Sequence, residues 1–217
     1  MTKIKVLYED ANILAIDKPS GILTCPDQRS SEKNVFDLFL KTYPKLELVH
    51  RLDKDTSGVL LFAKNKKTHE FLKKQFAGRE VKKTYVTIVN GKVKNSEGII
   101  NKPIGRSPKD FRRHLAGRGV RGKLREAITK YKVLKYLDGF TYIEVYPKTG
   151  RTHQIRVHMK FLNHPVTCDS LYNPGKPCPK GISRLALHAK SIEFKNLKGE
   201  TVKIESPLPA EFKKVVK

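Results

Sequence analysis

The sequence predicts an α+β fold, and three observations carry that expectation. Alternating apolar residues fall into adjacent pairs of short segments at both ends of the chain, helical periodicity is confined to a few separate stretches, and one apolar run, Val59–Ala63, shows no alternation at all. Strands that pair as hairpins, with helices set apart from them, exclude the regular strand-helix alternation of a doubly wound sheet. A chain of 217 residues buries a real core without metal or disulfide support. No internal repeat or low-complexity linker marks a boundary, so a single domain over residues 1–217 is expected.

The N-terminal stretch IKVLYEDANILAIDKPSG reads as a β-hairpin, with strands Lys5–Tyr8 and Ile13–Asp17, turn residues at Glu9–Asn12 and a Pro-Ser-Gly stop. Val35, Phe36, Leu38, Phe39 and Leu40 ahead of Pro44 predict a short helix within Asn34–Tyr43. Val59–Ala63 has the pattern of a strand buried on both faces, and the charged residues before it sit in the loop that feeds it. Asn65 is a candidate cap for a helix through Phe76 that turns Phe71, Leu72 and Phe76 inward. In VKKTYVTIVNG, Tyr85, Thr87 and Val89 share one face of a strand, and Val86 and Ile88 take the other. Strands follow at Ala127–Leu134 and in FTYIEVYP. A helix capped at Thr152 then places Ile155, Met159 and Leu162 on one face and stops at Pro165. Two strands around an Asn-Leu-Lys-Gly turn and a short terminal helix close the chain.

Charge limits the partner. Lys and Arg number 45 against 21 Asp and Glu, a net +24 spread from end to end, which points to a polyanion. A lysine-rich surface with no specific partner is the plain alternative. Against it, five of the 12 arginines fall in RRHLAGRGVRGKLR, interleaved with Gly117, Gly119 and Gly122. Arginine's planar fork is the better phosphate ligand, and the glycines suggest a mobile loop that closes on a nucleic-acid backbone. The start of the chain lacks signal-peptide architecture and no apolar run reaches 18 residues, so a soluble cytoplasmic protein with no membrane contact is expected. Cys25, Cys168 and Cys178 lack Cys-x-x-Cys spacing and read as plain thiols, with neither a disulfide framework nor a zinc site.

Two constellations could carry chemistry. In HRLDKDTSG, Asp55 with Thr56 and Ser57 suits a turn. Asp53, flanked by His50, Arg51 and Lys54 and leading into an apolar strand, is placed to be a fixed carboxylate, a nucleophile or a base. In PKTGRTHQIRVH, Gly150 permits a tight turn from which Arg151 can reach a carboxylate. His153, Gln154 and Arg156 fall in the first helical turn, whose N–H groups suit a phosphate or a base edge, while His158 reads as a satisfied core histidine. His153 and His158 miss the i, i+4 spacing of a helical zinc pair, so no metal is assigned, and no phosphate-cradling glycine loop is present.

HRLDKDTSGVLLFAKN resembles the signature of the RluA-type RNA pseudouridine synthases. DKPSGI, KTYVTIVNG, KPIGRSP, TGRTHQIRVH and LALHA follow in that family's order. NHPVTCDSLY departs from it at Asn163 and Cys168, where glycine is usual, and Cys25 stands where a histidine is common. The resemblance implies a mixed, mainly antiparallel sheet with flanking helices, and a stand-alone catalytic domain without an N-terminal RNA-binding module. It implies Asp53 as catalytic aspartate, Arg151 as the arginine that pairs with it, and Tyr85 against the target base. It implies uridine isomerisation in rRNA or tRNA without a cofactor. A monomer is expected because the sequence shows no exposed heptad stripe. His50, Arg51, Arg106, Arg112, Arg113, Arg118, Arg121, Gln154 and Leu187 are the expected RNA-binding residues. The alternatives from other classes are a non-catalytic RNA chaperone or ribosome assembly factor, and a glycosidase that would release free uracil and commonly needs a second acid.

Overall fold

The computed structural model describes residues 4–27 and 32–217. In chain order the elements are β1 (Lys5–Glu9), β2 (Ile13–Lys18), α1 (Val35–Leu40), β3 (Glu47–Leu48), β4 (Ser57–Ala63), α2 (Lys66–Ala77), β5 (Lys82–Asn90), β6 (Glu97–Asn101), β7 (Ile104–Arg106), β8 (His114–Ala116), β9 (Arg121–Arg125), β10 (Ile128–Leu137), β11 (Phe140–Pro147), α3 (Gln154–Phe161), β12 (Leu187–Lys195), β13 (Thr201–Glu205) and α4 (Ala210–Val216). The fold is α+β with a mixed, mainly antiparallel sheet, as expected. The chain divides into two compact units, residues 1–83 with 188–207 and residues 84–187 with 208–217.

The first unit is organised by β4. The β1–β2 hairpin forms because Asp10 accepts the backbone N–H groups of Asn12 and Ile13, both at 2.7 Å, closing an Asx turn where the sequence places one. β2 then pairs antiparallel with β4. All seven residues of β4 are buried. Val59, Leu61 and Ala63 pack with Leu72 of α2 and with Ile192, Phe194 and Ile204 of β12 and β13. On the alternate side the Phe62 ring meets those of Phe36 and Phe39 at 6.2 and 6.4 Å. Two covered faces explain the unbroken apolar run, each such side chain contributing about 2–3 kcal/mol.

The parallel pair within this unit joins the start of β4 to β12, Ser57 opposite His188 and Gly58 opposite Ala189. Gly58 has φ +111°, and a β-carbon there would lie 2.7 and 2.8 Å from backbone atoms of Ala189. Only glycine permits that approach. Asn65 caps α2 as expected, accepting Thr68 N–H at 2.9 Å. Gln75, on the face expected to be apolar, exchanges two 2.9 Å bonds with the backbone of Lys195.

In the second unit β5, β11, β10 and β6 form an antiparallel run. Val86, Ile88, Ile143 and Val145 pack with Ile155 and Met159 of α3 and Phe212 of α4. Three expectations are corrected here. The arginine-glycine segment is not a loop: β8 and β9 flank β7 in a three-stranded sheet, with Gly117 and Gly119 at positive φ near 80° in the turn between β8 and β9 and Gly122 at positive φ within β9. Cys168 and Cys178 are not plain thiols but are joined as a disulfide, their Cα atoms 5.4 Å apart. A separation of ten residues gives no hint of pairing, because the intervening loop brings the two together. Third, α3 begins after His153, which is left-handed at φ +57°, so Thr152 is not its cap.

Candidate active site and nucleic-acid interface

Asp53 lies in the turn ahead of β4, and the backbone on both sides of it is held by the segment after β2. Thr24 Oγ1 donates to Leu52 O at 2.8 Å and accepts Leu52 N–H at 3.2 Å. Lys18 Nζ and Gly21 N both donate to Lys54 O, at 2.9 and 3.0 Å, and Ser20 Oγ donates to Asp55 O at 2.7 Å. Asp53 O itself accepts Thr56 N–H at 3.1 Å, which closes the turn. Lys18 is fully buried and also donates to Pro19 O. The DKPSG stretch is therefore a clamp on the aspartate loop, a role its composition did not reveal. Ser57 Oγ bonds to Nδ1 of buried His188 at 2.9 Å and fixes the start of β4.

Arg51, two residues before Asp53, is exposed. His50 faces the other way. Its Nε2 accepts Leu61 N–H at 3.1 Å, and its ring stacks on Phe76 with centroids 5.2 Å apart. Burial, aided by the neighbouring Lys83 cation, pushes its pKa down to about 3, so the ring is neutral with its proton on Nδ1. Burial likewise pushes the Lys83 ammonium down to about 8.

Tyr85 and Arg151 belong to the second unit. Tyr85 is half-buried on β5, opposite Val145 of β11 and packed against the core. Arg151 sits in a turn built by Gln154. The Gln154 carbonyl accepts Arg151 N–H at 3.0 Å and Thr149 Oγ1 at 2.7 Å, and its amide donates to Ile128 O and Thr129 Oγ1. The Arg151 side chain is steadied by Nε donating to Glu126 O at 3.0 Å. Gln154 is thus buried and spent on holding Arg151, and Leu187 is buried as well. Arg156 makes a buried two-bond pair with Asp169 at 2.7 and 2.8 Å, so the first turn of α3 offers none of the exposed groups anticipated for it. His158 is the satisfied core histidine anticipated, bonded to Thr129 and Lys102, with its pKa lowered by burial.

The basic sheet gathers most of the remaining arginines. Arg106 stands directly opposite Arg121 on one side and His114 on the other. Like charges opposite one another in a sheet are destabilising, so this placement suits a surface that an anion neutralises. Arg118 and Arg121 are exposed. Arg112 and Arg113 are already engaged with Asp110, at 2.9 and 3.5 Å. Tyr172, unremarked in the sequence, ties this sheet to the Arg151 turn: its hydroxyl accepts His114 N–H at 2.8 Å and bonds to His153 Nδ1 at 3.0 Å. Among the described residues no cluster of three His, Cys, Asp or Glu side chains is placed to hold a metal, and no helix is long and apolar enough to cross a membrane.

Comparison with known proteins identifies the family. Residues 12–161 match the family model described as RNA pseudouridylate synthase. The chain is 37% identical over 220 residues to an uncharacterised RNA pseudouridine synthase of Bacillus subtilis, YhcT, covering 97% of this chain and 70% of that one. It is 35% identical over 231 residues to ribosomal large subunit pseudouridine synthase D of Xanthomonas campestris, covering 98% and 68%. Among solved structures, human RNA pseudouridylate synthase domain containing 1 superposes with a TM-score of 0.79 at 25% identity, over 95% of this chain and 84% of that one.

Proposed function

The chain belongs to the RNA pseudouridine synthase family, whose members are isomerases, and on that premise we propose that it converts specific uridines of structured RNA, ribosomal or transfer, into pseudouridine with Asp53 as the essential carboxylate. Isomerisation breaks N1–C1′, turns the uracil in the site and joins C5 to C1′. The reaction is redox-neutral and needs no cofactor. A carboxylate can serve it by adding to C1′, by adding to C6 or by removing the 2′ proton, and each route needs that group fixed in place. The observation that carries the reading is the grip on Asp53: five hydrogen bonds between Lys18, Ser20, Gly21 and Thr24 on one side and the backbone of Leu52, Lys54 and Asp55 on the other hold the loop around it.

The other roles follow the family pattern. Residues 1–217 work as one catalytic domain, with Tyr85 and Arg151 serving the same uridine as Asp53. The Tyr85 ring stacks on the base, and its hydroxyl relays the C5 proton. Flipping the uridine out costs a few kcal/mol, and exposed Arg51 is suited to fill the space it leaves. Arg106, Arg118 and Arg121 hold the RNA backbone, with Arg112 and Arg113 beside them. The protein acts as a monomer in the cytoplasm. The printed name of the Xanthomonas relative supports a large-subunit ribosomal RNA as the first substrate to try. The test is release of tritium from C5-labelled uridine in ribosomal and transfer RNA transcripts. Release from either supports the reading; free uracil without pseudouridine would contradict it.

A further inference from the structure

The turn between β7 and β8 is built more firmly than a surface connection requires. Ser107 N donates to Arg113 O at 2.9 Å and Arg113 N to Asp110 O at 3.0 Å. Ser107 Oγ accepts the N–H groups of Lys109 and Asp110 at 3.3 and 3.4 Å. The Asp110 carboxylate accepts Arg112 N at 3.0 Å and takes the Arg112 fork on both oxygens, at 3.1 and 2.9 Å. Hydrogen bonds from Arg112 hold that carboxyl down to about 2, so the pair stays charged at any pH at which RNA is handled. At the tip of this turn Phe111 is 71% exposed.

An exposed apolar side chain needs no explanation by itself. Phe111 is set apart by its surroundings: a turn fixed on both sides of it, cations at Lys109, Arg112 and Arg113, and a basic sheet directly attached. Every nucleobase offers a π face, and an aromatic ring among cations on rigid backbone can take one with little ordering cost. The Arg112 guanidinium, fixed on Asp110 one residue along the chain, is a second planar group of the kind that stacks.

We propose that residues 107–113 form a rigid platform on which Phe111 stacks an unpaired base of the RNA substrate, outside the uridine that is isomerised. The platform rests on the RNA-modifying function proposed above and gives it a preference: RNA with unpaired bases near the target is favoured over continuous duplex. Phosphates gripped by the arginines set the register, and the stacked base adds shape selection.

The chain contains no tryptophan, so Phe111→Trp creates a single reporter whose emission a stacked base quenches. Its fluorescence is followed while an RNA hairpin with an unpaired loop, or a blunt duplex of the same base composition, is titrated in. Quenching by the hairpin and not by the duplex is expected. Phe111→Ala should weaken hairpin binding about 5- to 150-fold, the range of one base-aromatic stack. Phe111→Leu, which keeps apolar bulk without a π face, should lose most of the same affinity. Equal quenching by both RNAs, or wild-type affinity in Phe111→Leu, overturns the platform, whether or not tritium is released. Absence of tritium release with hairpin-specific quenching intact would instead overturn the isomerase reading and leave the platform standing.

Discussion

Lys18 Nζ donates to the carbonyl of Lys54, 2.9 Å away and one residue beyond Asp53, although Lys18 is fully buried. A buried ammonium is costly unless its hydrogen bonds are satisfied, so its placement against the aspartate loop exchanges desolvation for position. Lys18→Met keeps the bulk and removes the donor. It is expected to cost about 1–3 kcal/mol of stability by denaturant unfolding. Turnover should fall about 10- to 100-fold, because small misplacement of a reacting group is amplified. Wild-type turnover in Lys18→Met would show that Thr24, Ser20 and Gly21 suffice to hold the loop.

His50 gives the protein a pH dependence of known sign. Its folded pKa of about 3 lies below the ordinary histidine value of about 6.5. Between these values the unfolded chain binds the extra proton, so stability declines as pH falls from 6.5 toward 3, by up to about 1.4 kcal/mol per pH unit. His50→Gln can still accept Leu61 N–H and does not titrate. Its unfolding free energy, measured by urea denaturation at several pH values, should show a flatter acid slope than wild type. Identical slopes would mean that other groups dominate acid unfolding.

If Arg118 and Arg121 contact phosphates, each contact releases counterions, and log K falls with log salt by about 0.7 per contact on single strands. The Arg118→Ala, Arg121→Ala double variant should therefore flatten the slope by about 1.4 in a salt titration of RNA affinity. An unchanged slope would place the RNA on another surface. The basic segment being strands, with Arg106 opposite Arg121, leads to a further expectation: Arg106→Ala alone, with Arg121 intact, should relieve cross-strand repulsion and raise thermal stability slightly while lowering RNA affinity.

How much of this was legible in the sequence depended on whether a feature shows in side-chain pattern. Val59–Ala63 announced a doubly buried strand because apolar residues can fill every position only where both faces are covered. Asn65 announced its helix because its side-chain oxygen suits Thr68 N–H. The basic sheet was not legible: Arg121–Arg125 is wholly exposed, so no apolar alternation marks it, and Gly117, Gly119 and Gly122 read equally as loop residues. The Thr152 cap failed because a left-handed His153 and the Gln154 side chain organise that turn, and neither leaves a mark in propensity. Asp53 and Arg151 stand out in their charged constellations, whereas a role for Tyr85 was suggested only by the motif resemblance. The clamp by Lys18, Ser20 and Thr24 reaches across 28 or more residues of chain, beyond any local pattern.

The proposed isomerisation depends most directly on the carboxylate of Asp53. Asp53→Asn removes the charge and almost no volume, leaving the backbone clamp and the basic sheet in place. With RNA in which uridine carries tritium at C5, the wild-type protein should release label as pseudouridine forms. Asp53→Asn should release none above background while binding the same RNA with affinity close to wild type. Release by Asp53→Asn within about tenfold of wild type would contradict the assignment of Asp53 as the essential group.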